Sequence, residues 1–130
     1  MAPPSAPVRI LLIDDDADLR QMYTLILGKA GMELDTANDG LEGLAKARKG
    51  GYDLILLDLM MPNLDGIGFL NGLREEGPKT PNGAIVVLSN AGYDAVAKEA
   101  RTLGATGFLM KADLLPKDLV QEVRTYLAKA

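Results

Sequence analysis

The sequence predicts an α/β domain: a five-stranded, doubly wound parallel sheet covered by helices on both faces. Two observations carry this reading. Short apolar runs bounded by Gly, Asp, Asn or Lys alternate five times with stretches of helical period, and a parallel crossover needs a helix to return the chain. The runs 10–13 and 54–57 are apolar without alternation, as strands buried on both faces require, so they belong near the middle of the sheet.

The elements follow in order. Strands are expected over 8–13, 32–37, 54–57, 84–88 and 108–110. In the second, Leu34 and Thr36 alternate with Glu33 and Asp35, which suits a half-exposed strand at a sheet edge. The helices between them are read from Leu19, Met22 and Ile26; from Leu41, Leu44 and Ala45; from Phe69, Leu70 and Leu73; from Val96, Ala100 and Leu103; and from Leu119, Val123 and Leu127. The last should start near Leu114 with Asp113 as its cap, leaving Pro116 in the first turn, where its missing N–H is not needed.

The chain has 130 residues, 48% apolar and 25% charged, which is the size and balance of one soluble globular domain. Residues 1–7 read as a disordered tail and 8–130 as that domain, with no linker or internal repeat. The start lacks the basic and apolar regions of a signal peptide, and no run approaches the ~18 apolar residues of a membrane span. A cytoplasmic, stand-alone chain is the expectation. With a net charge of -4 and no dense cluster of Lys and Arg, direct nucleic-acid binding is not expected. The absence of Cys excludes disulfides and thiol nucleophiles. The absence of His excludes a His-based triad and an internal phosphohistidine, so a phosphoryl group arriving by that route must come from another protein.

In open parallel sheets, ligands bind outside the carboxyl ends of the strands. Those ends carry Asp14, Asp15 and Asp16 after the first strand, Asp58 after the third, Ser89 after the fourth and Lys111 after the fifth. Carboxylates converging there would repel one another and require a positive partner. Oxygen donors without His or Cys suit Mg²⁺, and Lys111 adds a second positive charge. One carboxylate could then attack phosphorus, with Ser89 donating to a phosphoryl oxygen. Residue type and position leave open which Asp is the nucleophile. An Asp run before a helix is more often a cap, and Asp16 is read as one; Asp65 is read as the cap of the third helix and Gly66 as a turn residue.

The ordered set Leu11-Leu12-Ile13-Asp14-Asp15-Asp16, Leu57-Asp58-Leu59-Met60-Met61-Pro62-Asn63-Leu64-Asp65-Gly66, Val87-Leu88-Ser89 and Gly107-Phe108-Leu109-Met110-Lys111 resembles the receiver domains of bacterial two-component response regulators, from Val8 to Ala130. The resemblance implies a flavodoxin-like (CheY-like) sheet of order 2-1-3-4-5. It also implies Asp58 as phosphoacceptor, an Mg²⁺ site from Asp14, Asp15, Asp58 and the Met60 backbone carbonyl, Lys111 paired with the phosphoryl group, and Ser89 and Phe108 as switch residues. The implied partners are a sensor histidine kinase or phosphotransfer protein and a downstream protein target not identifiable from sequence. The implied assembly is a monomer or a phosphorylation-dependent dimer. Such a protein is a signalling phosphoacceptor rather than an enzyme acting on other substrates.

Ala112 stands where the family commonly has a cis Pro, and a trans Lys111–Ala112 bond is expected, because a non-proline cis bond costs ~2.5–4 kcal/mol. Phe108 stands in place of the family's Tyr and Asn90 in place of its Ala. Met60 and Ala91, which in the family flank the path of the attacking water, predict slow hydrolysis, because neither can orient that water. Two other readings compete. Asp14-x-Asp16 after an apolar strand is similar to the opening of haloacid-dehalogenase phosphatases, with Asp14 as nucleophile; Asp18 departs from that pattern. A flavodoxin holding FMN would need Ser, Thr and Gly where Asp14 to Asp16 stand.

Overall fold

A computed structural model describes residues 7–89 and 95–129. Its elements are β1 (Arg9–Ile13), α1 (Ala17–Lys29), β2 (Glu33–Ala37), α2 (Gly40–Lys49), β3 (Leu54–Asp58), α3 (Gly66–Glu75), β4 (Ala84–Ser89), α4 (Ala95–Thr102), β5 (Gly107–Met110) and α5 (Pro116–Lys129). The five strands form one parallel sheet in the order β2-β1-β3-β4-β5. The expected tail falls mostly on residues 1–6, which lie outside the described residues, as do Asn90 and Ala91.

Successive residues of a strand point to opposite faces, so each buried strand feeds two cores. Leu11, Ile13, Ile55, Leu57 and Val87 pack with Leu44, Ala47, Phe69, Leu70 and Ala100 from α2, α3 and α4. Ile10, Leu12, Leu54, Leu56, Val86 and Leu88 pack on the other face with Tyr23 and Leu27 of α1 and Leu119 and Val123 of α5. Every residue of β3 is buried, and β2 at the edge is not.

The helix faces differ from the sequence reading in three places. In α1, Met22 is exposed and Tyr23 and Leu27 are buried instead. In α2, Leu41 and Ala45 face solvent while Gly40, Gly43, Leu44 and Ala47 are buried. In α4, Val96 is exposed and Ala97 is inside. In α2 small residues take inner positions because the helix lies close to the sheet: a Cβ at Gly43 would stand 2.6 Å from the side chain of Ile13.

The start of α5 is also different. Lys111–Asp113 form a single 3₁₀ turn, and Asp113 caps nothing. The helix begins at Pro116, and the Asp118 carboxylate reaches back to the Leu115 N–H at 3.3 Å, the acidic half of a capping box with Pro at the first helical position. The Lys111–Ala112 bond is trans.

Candidate functional site

The carboxyl ends of β1, β3, β4 and β5 open into a recess of about 360 Å³ lined by Asp14, Asp15, Asp16, Asp58, Met60, Ser89 and Lys111. Of the residues singled out from sequence, Asp14, Asp58 and Ser89 are buried there, while Asp15 is exposed at the rim and Met60 points its side chain to solvent. Phe108 is not in the recess. It packs half-buried against the core under α2, α3 and α4, with the Arg101 guanidinium 5.1 Å over its ring.

Local hydrogen bonds hold the acidic loop. The Asp14 N–H donates to Ala37 O at 3.1 Å, extending the β1–β2 ladder, and Asp14 Oδ1 accepts from the Asp16 N–H at 2.9 Å. Asp16 caps α1, its Oδ1 accepting from the Asp18 and Leu19 N–H groups. Asp65 caps α3 in the same way. Asp58 Oδ1 accepts from the Met60 N–H at 3.3 Å.

Lys111 sits between the two buried carboxylates, Nζ 2.6 Å from Asp14 Oδ2 and 3.4 Å from Asp58 Oδ2. One ammonium does not balance two buried anions. Burial first, then the Asp14 charge, push the Asp58 carboxyl up to about 6, and Lys111 only partly opposes them. Burial alone would lower Lys111, but Asp14 and Asp58 together raise it, so it stays charged.

The donor set fits a hard divalent cation. Asp14, Asp15 and Asp58 each bring one carboxylate oxygen to within 4.8 Å of the others. Asp14 Oδ2 is buried, and its one close partner is the Lys111 ammonium, an ion pair at 2.6 Å. Lone pairs on that oxygen remain for another cation.

Two further residues interact with the site's charged residues. Arg20 Nη1 donates to Asp14 O at 2.7 Å, and the Tyr23 phenol is raised by burial, with smaller and opposed effects of Lys111 and Asp14. Helical spacing from the Asp16 cap places both on the inward side of α1, a signal hidden by the choice of Met22 for that face.

The protein-family model for the response regulator receiver domain matches residues 10–124. The chain belongs to that family. Among curated relatives of this receiver, the transcriptional regulatory protein ResD of Bacillus subtilis is 34% identical over 94% of the chain, and the transcriptional regulatory protein PcoR of Escherichia coli is 38% identical over 94% of it. The receiver spans about half the length of these relatives, 49% of ResD and 52% of PcoR. Among solved structures, the chemotaxis protein CheY4 of Vibrio cholerae matches with a TM-score of 0.80 and 33% identity, covering 93% of this chain and 99% of that one. Membership in a two-component signalling family sets aside the phosphatase and flavodoxin readings. None of the described helices is long and apolar enough to cross a membrane.

Proposed function

We propose that Asp58 accepts a phosphoryl group from the phosphohistidine of a sensor histidine kinase or phosphotransfer protein, in a step that depends on Mg²⁺. The observation that carries this is the meeting of Asp14, Asp15, Asp58 and Lys111 at one end of the sheet, with negative charge in excess. Asp14, Asp15, Asp58 and the carbonyl of Met60 would hold Mg²⁺, which when bound supplies charge neutralisation to the carboxylates and to the incoming phosphoryl oxygens.

A carboxylate oxygen of Asp58 attacks phosphorus as the donor's P–N bond breaks and the imidazole leaves. Lys111 keeps Asp58 ionised for the attack and afterwards pairs with the phosphoryl oxygens. The Ser89 hydroxyl donates to one of those oxygens, and the Phe108 rotamer follows, changing the face made by α4, β5 and α5. A partner's binding there is the output, with a coupling of about 1–3 kcal/mol. The receiver catalyses only its own phosphorylation and dephosphorylation. It acts as a monomer or as a dimer formed on phosphorylation.

A second reading of the output is favoured by one observation: the curated relatives are about twice as long. In that reading the switched face is sensed by a further segment of a larger regulator rather than by a separate protein.

The test is mass spectrometry after incubation with acetyl phosphate and Mg²⁺. The wild type should gain one phosphoryl group on Asp58, and Asp58→Asn, whose amide is no nucleophile, should gain none. Uptake on Asp14 would return the phosphatase reading, and full uptake in excess chelator would remove Mg²⁺ from the scheme.

A further inference from the structure

The loop from β3 to α3 carries Met60, and it is fastened at two places. Near the site, the Gly66 N–H donates to Leu59 O at 3.0 Å, and a Cβ at Gly66 would stand 2.7 Å from Asp58 O. Far from the site, the loop is tied to a different helix. Asn63 adopts a left-handed backbone, φ 68°, and its Nδ2 donates to Asp39 Oδ2 at 2.6 Å. Beside it the Gly40 N–H donates to Leu64 O at 3.0 Å, and a Cβ at Gly40 would run into that carbonyl.

Asp39 is shared between two structures. Its Oδ1 accepts from the Glu42 N–H at 2.9 Å and so caps α2, while Oδ2 holds the loop. The Glu42 N–H and then the Asn63 amide hold its carboxyl below the usual range, which keeps both oxygens available as acceptors. Through Gly43, α2 rests on Ile13, the residue before Asp14. The chain of contact thus runs from the loop bearing Met60, through Asp39 and α2, to the strand bearing Asp14.

Mg²⁺ requires near-octahedral oxygens at about 2.1 Å, a narrower tolerance than a mobile loop carbonyl can meet. We infer that Asp39 and Asn63 are positioning residues for the cation site: together they hold the β3–α3 loop so that the Met60 carbonyl stands where Mg²⁺ needs it. This rests on the reading of the acidic recess as an Mg²⁺ site.

The experiment is titration of Mg²⁺ alone into the full chain, followed by calorimetry and by the carbonyl ¹³C shift of labelled Met60. Asn63→Gly keeps the backbone conformation and removes the amide. Asp39→Ser keeps a helix cap and removes the second oxygen. Each should weaken Mg²⁺ binding about 10-fold, as loss of an outer support to a metal ligand does, and the double variant should be no worse than either alone. Tyr52→Phe, which loses a hydrogen bond on the edge strand, should lower the melting temperature without moving the Mg²⁺ Kd. Latch variants that bind Mg²⁺ as the wild type does would overturn the inference while leaving the cation site standing. A wild type that titrates like Asp58→Asn, with no shift at Met60, would instead overturn the cation site and this inference with it.

Discussion

Asp35 on the edge strand and Asp58 at the end of the central strand each face a lysine, yet their surroundings drive them in opposite directions. Burial pushes Asp35 up, but hydrogen bonds from Lys46 Nζ at 2.8 Å and the Tyr52 hydroxyl at 2.6 Å outweigh it and hold the carboxyl below its usual range. Its partners are saturated in turn: Lys46 also donates to Thr36 O at 2.6 Å, and burial, then Asp35, push the Tyr52 phenol up to about 12. Asp58 receives one long backbone bond and a shared ammonium, and it rises to about 6. A carboxylate whose lone pairs are filled stabilises the fold. One left short of partners is poised for a cation or a phosphoryl group.

The largest effect that would break this contrast is on stability against pH in metal-free protein. Because the folded pKa of Asp58 lies above its unfolded value, its contribution is fully present below about pH 4 and is lost as the pH rises through about 6. At neutral pH the charged, under-satisfied Asp58 should cost about 2–3 kcal/mol. Urea unfolding of wild type and Asp58→Asn in chelator should give curves that diverge between about pH 4 and pH 6.5, with the variant more stable at the upper end. Parallel curves would mean that Lys111 already balances the site.

Asp35 has the opposite sign and a smaller size. Its folded pKa is lowered, so its stabilisation is present above its unfolded pKa and lost as the pH falls through the folded value. Tyr52→Phe removes one bond to an exposed-edge carboxylate and should cost about 1 kcal/mol at pH 7. Stability of the variant should also fall less steeply on acidification than that of the wild type. An unchanged acid limb would show that Lys46 alone sets Asp35, and the saturated cluster would then be a single ion pair.

The difference in legibility between the two carboxylates has a physical cause. Asp58 could be picked out because a strand end in a parallel sheet has a known outlook, and so could Asp14, Asp15, Ser89 and Lys111. Asp35 reads only as the polar half of an alternating strand, since Lys46 and Tyr52 lie 11 and 17 residues away and meet it only through the fold. The Asp39–Asn63 bond, 24 residues apart, is hidden for the same reason. In α1, apolar Leu19, Met22, Tyr23, Leu25, Ile26 and Leu27 cover several sides, so the period admits more than one buried face; the depth available under the helix chose Tyr23 and Leu27. The caps Asp16 and Asp65 followed from short-range rules and the strand order from the resemblance carried by the motifs at the strand ends, and both agree with the structure.

The smallest expected effect lies in the lifetime of phosphorylated Asp58, and it sharpens the contrast by leaving both carboxylates as they are. Met60 is 74% exposed and its side chain lines the recess, so a change there costs little packing and leaves the backbone carbonyl in place. A thioether offers apolar bulk beside the phosphorus and cannot hold a water in line for attack, whereas an amide can donate and accept. Met60→Asn should therefore shorten the acyl-phosphate lifetime about three-fold, which corresponds to less than about 1 kcal/mol of barrier. Ala91, the second position expected to flank the water path, lies outside the described residues, so the effect is assigned to Met60 alone. The decay of phosphorylated protein after removal of acetyl phosphate measures it, with the metal-free pH curve run alongside. An unchanged lifetime with an unchanged curve would show that water positioning at Met60 does not limit hydrolysis. A shorter lifetime with a shifted curve would mean that the substitution acted through Asp58 itself.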